Sequence, residues 1–510
     1  MGAQPPIYWF WFYWQLINGF SIYFFLLFPF AFMLGALILI FSSLIAAKVC
    51  LMLAKLIHEP REGVFERDAN DKDYCYWSLR AVIKKWPIWL ARQLSISYLE
   101  KVILKVFGVK IGNNCSLHEG WVDTEFIEMG SNVRLGQGSL IMSSLIVQNK
   151  LILKKIELKD NITIGTHSVI FPGTSIESNC VIDSLSTTKV NQKLDSNSIY
   201  RGTPSKKVLK KPYIQNKTHI KEKIFDGKDD GRNAENLNES FLSEDPKDLS
   251  VPFHLYIISG IFIIGFSFIL PGFLFILYFF GIVEPNLLSI QFSLNSLTQI
   301  GTIIISLTLP IIFIGLYLFH LFFVALFTKW IYGYVDKRIP NYGVFDRNLD
   351  QETKALDYYH FESFLFKYPI FAIIRSPFPW LINWELRFLG SNKVGAGSTI
   401  EECYLHSHID LGKNCYLGTY SHISNHIVDG VYGEENLTFF GVNLGNNVVF
   451  ESLTAGFPGI EVGKNSTFLP IGSPIKFEKL LGDAIYTDFP AKKLSKEEKN
   501  DLLGGINIDE

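Results

Sequence analysis

The chain has 510 residues, of which 48% are apolar, 15% aromatic and only 19% charged, whereas about 25% of an ordinary soluble protein is charged. Its formal net charge of −2 lacks the positive excess of nucleic-acid-binding proteins, so we expect no nucleic acid partner. The six cysteines are scattered and form no Cys-x-x-Cys motif, which argues against a disulfide scaffold and a zinc knuckle.

The first apolar block predicts a transmembrane hairpin over residues 7–57. No charged side chain occurs before Lys48, and the block is about twice the 20 or so residues that one membrane-spanning helix needs. We place the turn between the two spans at Pro29, because the residue before a proline resists helical geometry. Membrane lipid is therefore an expected partner.

The second apolar block predicts another hairpin over residues 251–330. Glu284 is the only acidic or basic residue in its connector, and Pro271 and Pro310 fall inside the two spans. The protein is thus predicted to be an integral, multi-pass membrane protein with about four spans. Lysines and arginines follow the second member of each hairpin, as Lys48 and Lys329 do, which predicts that the polar regions are cytoplasmic.

Two polar regions follow the hairpins and resemble each other. Residues 63–67 (Gly-Val-Phe-Glu-Arg) match residues 343–347 (Gly-Val-Phe-Asp-Arg) at an offset of 280, which indicates an internal duplication. We assign interfacial helices and a β-helix domain to residues 58–213 and again to residues 331–510. Residues 214–250 are rich in Lys, Asp, Asn and Glu and are predicted to form a flexible linker.

A six-residue repeat predicts the fold of both polar regions. Isoleucine recurs at every sixth position from Ile164 to Ile182, and an aliphatic residue does so from Leu411 to Ile423. This spacing is typical of left-handed parallel β-helices, in which each turn has three short strands. An antiparallel sandwich would show period-two alternation and hairpin signals, and both are weak here. The fold class is therefore membrane helices plus two left-handed parallel β-helix domains.

These hexads resemble the hexapeptide-repeat acyltransferase superfamily, and residues 200–208 (Tyr-Arg-Gly-Thr-Pro-Ser-Lys-Lys-Val) are similar to the segment that follows its coils. The alternation of hairpins and β-helices resembles the C-terminal membrane and condensation region of the ε-poly-L-lysine synthetase family of non-ribosomal peptide synthetases. That resemblance implies acyl or aminoacyl transfer from a thioester, on a carrier-protein phosphopantetheine or on coenzyme A. Because the sequence contains no recognisable adenylation or carrier segment, we expect such a protein to act in trans.

His426 is the first candidate for catalysis. Residues 424–430 are similar to the His-containing coil of the synthetase family, and acyl transfer needs a base that histidine can supply at neutral pH. Asp429 or Glu434 could fix the tautomer of the imidazole. The competing interpretation is that His426 is an ordinary coil residue beside the break in the hexads at residues 427–442. Aligning the two halves places Ser144 opposite His426.

Three further residues are weaker candidates, namely His118, His167 and Ser144. His406, His408 and His422 lie near His426 in sequence, but six-residue strands do not automatically bring four ligands together, so we predict no metal site. We also predict no bound cofactor other than the thioester donor.

The chemistry favours a membrane-bound acyl or aminoacyl transferase at the cytoplasmic face, which joins a thioester-activated donor to an amine acceptor. The alternative is a non-catalytic membrane scaffold that docks a synthetase or another polymer-forming enzyme. The sequence does not predict the oligomeric state.

Overall fold

A computed structural model describes residues 2–94, 97–117, 120–210, 253–338, 342–346, 354–376, 378–429 and 436–506 of the chain. The predicted linker, residues 214–250, lies outside the described residues.

The helices fall into an apolar set and a set that joins the apolar helices to the strands. They are α1 (Gln4–Ile17), α2 (Ile22–Ile57), α3 (Lys72–Gln93), α4 (Ser97–Phe107), α5 (Phe253–Tyr278) with its π-helical continuation (Phe279–Leu288), α6 (Leu294–Leu297), α7 (Ile300–Asp336), α8 (Lys354–Ile374), α9 (Ile382–Leu389) after a 3-10 turn (Pro379–Leu381), and α10 (Lys496–Leu502).

In the described part of the chain, three helices are long and apolar enough to cross a membrane, namely α2, Phe253–Leu288 and α7. The prediction of a turn at Pro29 was wrong, because Pro29 lies inside α2. The chain turns instead at Asn18, which adopts a left-handed backbone with φ 58°, and Ser21 caps α2 by accepting a hydrogen bond from the Phe24 amide. The first apolar block is therefore one short helix and one long helix.

The strands of the first half are short and mostly two to four residues long. They are β1 (Gly63–Glu66), β2 (Lys110–Ile111), β3 (Trp121–Val122), β4 (Ile127–Met129), β5 (Arg134–Leu135), β6 (Leu140–Ile141), β7 (Ser144–Val147), β8 (Lys150–Leu153), β9 (Ile156–Leu158), β10 (Thr163–Ile164), β11 (Val169–Ile170), β12 (Ser175–Ile176), β13 (Val181–Ile182), β14 (Lys193–Leu194), β15 (Ser198–Arg201) and β16 (Lys206–Lys210).

The second half has the same kind of strands. They are β17 (Gly343–Asp346), β18 (Lys393–Val394), β19 (Thr399–Ile400), β20 (Tyr404–Leu405), β21 (Ile409–Leu411), β22 (Tyr416–Leu417), β23 (His422–Ile423), β24 (His426–Asp429), β25 (Asn436–Phe439), β26 (Val442–Leu444), β27 (Val449–Phe450), β28 (Ala455–Gly456), β29 (Glu461–Val462), β30 (Thr467–Phe468), β31 (Lys479–Leu480), β32 (Ile485–Thr487) and β33 (Lys492–Lys493).

In each half the strands stack into three largely parallel sheets. The orders are β16-β15-β13-β10-β5, β11-β6-β3 and β14-β12-β9-β4-β2 in the first half, and β19-β22-β27-β30-β32-β33, β20-β23-β28 and β18-β21-β26-β29-β31 in the second. Ile164 pairs with Ile182 in adjacent parallel strands, and both side chains are fully buried. In these strands the predicted six-residue repeat thus places one aliphatic side chain of each strand in the core.

The turns between strands explain why asparagine recurs in the hexads. Asn161, Asn179 and Asn197 all have left-handed backbone angles, which asparagine tolerates better than most residues. Their side chains form a ladder, in which Asn161 donates to Asn179 and Asn179 donates to Asn197, with both contacts at 3.1 Å and 18 residues apart. One coil of the stack therefore takes 18 residues.

A β-hairpin interrupts the hexads in both halves. Strands β7 and β8 pair antiparallel and take β1 as a third strand, and β24, β25 and β17 repeat that order. Ser144 lies opposite Leu153, and His426 lies opposite Phe439. The predicted alignment of Ser144 with His426 therefore agrees with the strand register.

The two halves pack against each other through different faces. The first half contributes its hairpin and the β3-β6-β11 sheet, with Leu140 and Phe171, and the second contributes β30, β32 and α10, with Leu469 and Ile485. The amide of Ile146 also donates to a carboxylate oxygen of Glu451 at 2.7 Å. This contact fixes the first half's hairpin on the second half.

The helices α3 and α4 connect the long apolar helix α2 to the strands of the first half. The indole of Trp86 in α3 donates to the hydroxyl of Ser43 in α2 at 3.1 Å, and the Lys48 ammonium donates to the Val106 carbonyl in α4 at 2.7 Å. Polar contacts near Lys48, the first positively charged residue of α2, thus hold the first half against this helix.

Candidate functional site

A cleft of about 590 Å³ lies between the two halves. One wall is formed by α3, α4 and the coil that carries β3 and the start of β7, and the other by residues of the second half, including Glu401, Glu402 and Tyr420. The helical wall contributes apolar side chains, among them Ile88 and Ile103. The cleft therefore has an apolar wall next to α2 and a polar floor.

Asp123 and Ser144 meet on that floor. The Ser144 hydroxyl donates to the Asp123 carboxylate at 2.9 Å and the Ser144 amide does so at 3.2 Å. The Ser143 hydroxyl donates to the same oxygen at 3.3 Å, and the Trp121 indole donates to the other oxygen at 3.1 Å. Four neutral donors thus hold one carboxylate in place.

Burial raises the pKa of Asp123, and the hydrogen bonds from Ser144, Trp121 and Ser143 offset part of that rise. A carboxylate with a raised pKa is a stronger proton acceptor than a solvated one. The hydrogen-bond donors to Asp123 are therefore all uncharged, while its charge also interacts favourably with the nearby ammonium of Lys84.

A second carboxylate of the cleft is held by two buried cations. Glu125 accepts from Arg80 at 2.8 Å and from Lys84 at 2.6 Å, and both cations are almost fully buried. Burial alone would raise the pKa of Glu125, but the nearby charges of Lys84 and Arg80 outweigh it, so the pKa is lowered. This triad fixes α3 on the coil that carries Asp123.

Ion pairs between the halves surround the cleft. Lys85 and Arg92 of the first half contact Glu401 and Glu402 of the second half at 2.8 Å and 3.5 Å. Within the second half, Arg375 also contacts Glu402, at 3.3 Å. These side chains are partly exposed, so each pair contributes little to stability by itself. Their positions nevertheless fix how the two walls face each other.

His426 lies in the second half and is not among the residues that line the cleft. Its Nδ1 is 2.8 Å from the Asn425 side-chain oxygen and 3.1 Å from the Ser424 hydroxyl. Its ring packs edge-on against His406, with centroids 4.2 Å apart. Burial lowers the pKa of His426 to about 3, which leaves the imidazole neutral at physiological pH.

The residues predicted to orient His426 cannot be placed beside it. Asp429 lies in β24 opposite Asn436, but its side chain is outside the described part, and so are Glu434 and His118. His167 occupies a left-handed turn position with φ 52° and is not part of the cleft wall. Of the predicted candidates whose side chains the structure describes, Ser144 alone lines the cleft.

The strand registers show which positions of the two halves correspond. The Asp123 amide donates to the Ile141 carbonyl, and the His406 amide donates to the Ile423 carbonyl, on the neighbouring strand in each case. Asp123 and Ser144 of the first half thus correspond to His406 and His426 of the second. The sequence analysis missed Asp123, although aligning it with His406 would have pointed to it.

In the part of the chain that the structure describes, no group of three or more histidines, cysteines, aspartates or glutamates is arranged to hold a metal ion.

No family model and no curated protein matches the sequence. Among solved structures, the chain is similar to a hexapeptide-repeat acetyltransferase from Vibrio cholerae complexed with acetyl coenzyme A, with 18% identity over 28% of this chain and 91% of that chain and a TM-score of 0.23. An N-acyltransferase from Bacillus cereus matches with 25% identity over 20% of this chain and 59% of that chain, with a TM-score of 0.16. A maltose O-acetyltransferase from Clostridium difficile matches with 17% identity over 22% of this chain and 73% of that chain, with a TM-score of 0.17. Matches this distant carry no argument about what this chain binds or catalyses.

We predict that Glu125→Gln strongly destabilises the protein, because it leaves Arg80 and Lys84 buried without a negative partner. Breaking a buried ion pair typically costs about 3–5 kcal/mol. Denaturant unfolding of the full chain in detergent measures the effect. Glu128→Gln is the control, because that carboxylate is partly exposed with its partners Lys110 and Lys155. Equal stability of both variants would contradict a structural role for the triad.

Proposed function

We propose that this chain is a membrane-bound acyl or aminoacyl transferase that joins a thioester-activated donor to an amine acceptor in the cleft. The two stacks of strands are proposed to be left-handed parallel β-helix domains that arose by duplication, a view supported by the shared strand order and by the match of residues 63–67 with residues 343–347. The apolar helices are proposed to anchor both stacks at the cytoplasmic membrane face.

The observation that carries the proposal is the composition of the cleft walls. Apolar side chains of α3 and α4, including Ile88, Ala91 and Leu104, face a floor with the hydrogen-bonded pair Asp123 and Ser144. Such a cleft suits a reaction in which an acyl group contacts the apolar wall while its carbonyl carbon meets a nucleophile on the polar floor. Pockets with mainly apolar walls and a few convergent polar groups are the usual sites of small-molecule chemistry.

The donor is proposed to be a thioester of coenzyme A or of carrier-protein phosphopantetheine, delivered by a protein acting in trans. Transfer to an amine requires a proton acceptor for the nitrogen and hydrogen-bond donors for the negative oxygen of the tetrahedral intermediate. His426, oriented by Asp429 or Glu434, is proposed as the proton acceptor of a second centre in the second half. Its neutral imidazole is in the protonation state that this role needs.

We expect Ala81→Trp to lower acyl transfer to the residual rate of the second centre, because Ala81 in α3 lines the cleft and an indole would occupy the space of the reactants. Purified full chain in detergent is incubated with acetyl coenzyme A or a loaded carrier and a free amine, and product is measured by mass spectrometry. Leu79→Trp is the control, since Leu79 is exposed on the same helix.

Undiminished turnover by Ala81→Trp would exclude the cleft as the reaction site. If neither the wild type nor the Leu79→Trp control forms product while both bind a synthetase or a carrier protein, the chain is a docking scaffold and the transferase proposal is wrong.

We predict that, with the cleft blocked by Ala81→Trp, replacing the wild-type His426 by alanine lowers the residual turnover of the second centre by about 100-fold or more if His426 is its proton acceptor. Because burial lowers the pKa of His426 to about 3, the imidazole does not titrate between about pH 5 and pH 8, in contrast to an ordinary histidine. The ratio of wild-type to variant turnover should therefore stay constant across that range. A ratio that changes with an inflection near the ordinary histidine pKa would contradict this assignment, and equal turnover would remove His426 from the mechanism.

A further inference from the structure

Every described carboxylate of the cleft except one has a cation within 4 Å. Glu100 contacts Arg92, Glu125 contacts Lys84, Glu401 contacts Lys85, and Glu402 contacts both Arg92 and Arg375, all within 4 Å. Among the described residues, Asp123 forms no ion pair. Its contacts are the hydroxyls of Ser143 and Ser144, the Ser144 amide and the Trp121 indole.

The buried carboxylate of Asp123 would be stabilised by a positively charged partner in the cleft. Removing a carboxylate from water is costly unless an opposite charge or strong hydrogen bonds compensate it. The neutral donors and the more distant charge of Lys84 compensate Asp123 only in part, as the rise of its pKa on burial indicates. A ligand that brings an ammonium group would complete the compensation, whereas an anionic ligand would meet repulsion.

We propose that Asp123 binds the amine group of the acceptor, with the hydroxyls of Ser143 and Ser144 beside it. The two hydroxyls can rotate to accept hydrogen bonds from the ammonium while they remain next to the carboxylate. The ligand class is a primary amine in its ammonium form. The catalytic role of Asp123 rests on the proposed function, whereas the binding of the ammonium group does not.

The second half provides an internal contrast. His406 and His426 occupy the positions that correspond to Asp123 and Ser144, and both are imidazoles whose pKa burial lowers to about 3. Two neutral rings do not attract an ammonium ion as a carboxylate does. The amine site is therefore specific to the first half, and the two centres have different ligand preferences.

In the transfer step the bound ammonium first loses one proton to water, and the neutral amine nitrogen then attacks the thioester carbonyl carbon. The C–N bond forms and the C–S bond breaks, so that an amide and a thiol are the products. One N–H proton passes to Asp123 and from there to the departing thiolate, which leaves the aspartate ionised for the next acceptor. Asp123 acts as a catalytic residue in this step, and Ser144 positions it.

The test is a calorimetric titration of the full chain in detergent with butylamine at pH 7.5, and with butanol as the uncharged analogue. Wild-type protein should bind butylammonium and not butanol. Asp123→Asn should weaken binding by about tenfold or more, because it removes a charged hydrogen-bond acceptor, and Ser144→Ala should weaken it less. Asp195→Asn should bind as wild type does, since Asp195 is an exposed carboxylate outside the cleft.

Thermal unfolding in the same detergent must show that both aspartate variants are folded; if Asp123→Asn is not, Ser144→Ala provides the comparison. Equal affinity of wild type and Asp123→Asn, or no amine binding by the wild type, would overturn the proposal. Normal turnover by Asp123→Asn would also overturn it while leaving the transferase function intact. Loss of amine binding in Asp123→Asn, together with an absence of turnover in every version of the chain, would support the amine site and refute only the transfer reaction.

Discussion

The contact between the first half's hairpin and the second half's sheet is the interaction on which the rest of this structure depends. Ile146 in β7 donates its amide to Glu451 at 2.7 Å, and Gln148 donates its amide to the Thr467 hydroxyl at 2.7 Å. Burial raises the pKa of Glu451 to about 8, so this side chain meets the backbone mostly as a neutral carboxyl group near neutral pH. The cleft exists because these contacts bring its two walls together.

Among the described residues, the positions of the other half that correspond to this contact are polar. Val449 and Leu469 of the second half are buried in the contact between the halves. At the matching positions of the first half's sheets, the chain has Thr163 and Asp183. In the reverse direction, the second half has the polar residue His422 at the position that matches the apolar Leu140 of the first half. Each half is thus apolar on the face that packs against the other half, and the matching face of the other half is polar, although the strands of both follow the same order.

The sequence predicted the features that depend on local spacing. Aliphatic residues six apart, such as Ile164 and Ile170, report directly on which side chains point into a coil, and the offset between residues 63–67 and 343–347 predicted matching strands. Pro29 misled the prediction because proline is tolerated inside a long apolar helix, where neighbouring groups satisfy the freed carbonyl.

The cleft could not be predicted in the same way, because it depends on which faces of two distant segments pack together. Asp123 and Glu402 are 279 positions apart, and no periodicity in either segment indicates that they share a cavity. The search for a base also concentrated on histidines, although burial raises the pKa of the aspartate at the corresponding place in the other half. Comparing the two halves position by position is therefore more informative than a search for one residue type.

The central claim, that the reactants meet between the two halves, is tested most directly by photo-crosslinking. A coenzyme A thioester whose acyl chain carries a diazirine is bound to the full chain in detergent, irradiated, and the labelled peptides are identified by mass spectrometry. Label on α3 and α4 and on the peptide that contains Ser144, competed by unlabelled thioester, is the result we predict. Label confined to the coil that contains His406 and His426, or to the apolar helices alone, would contradict it.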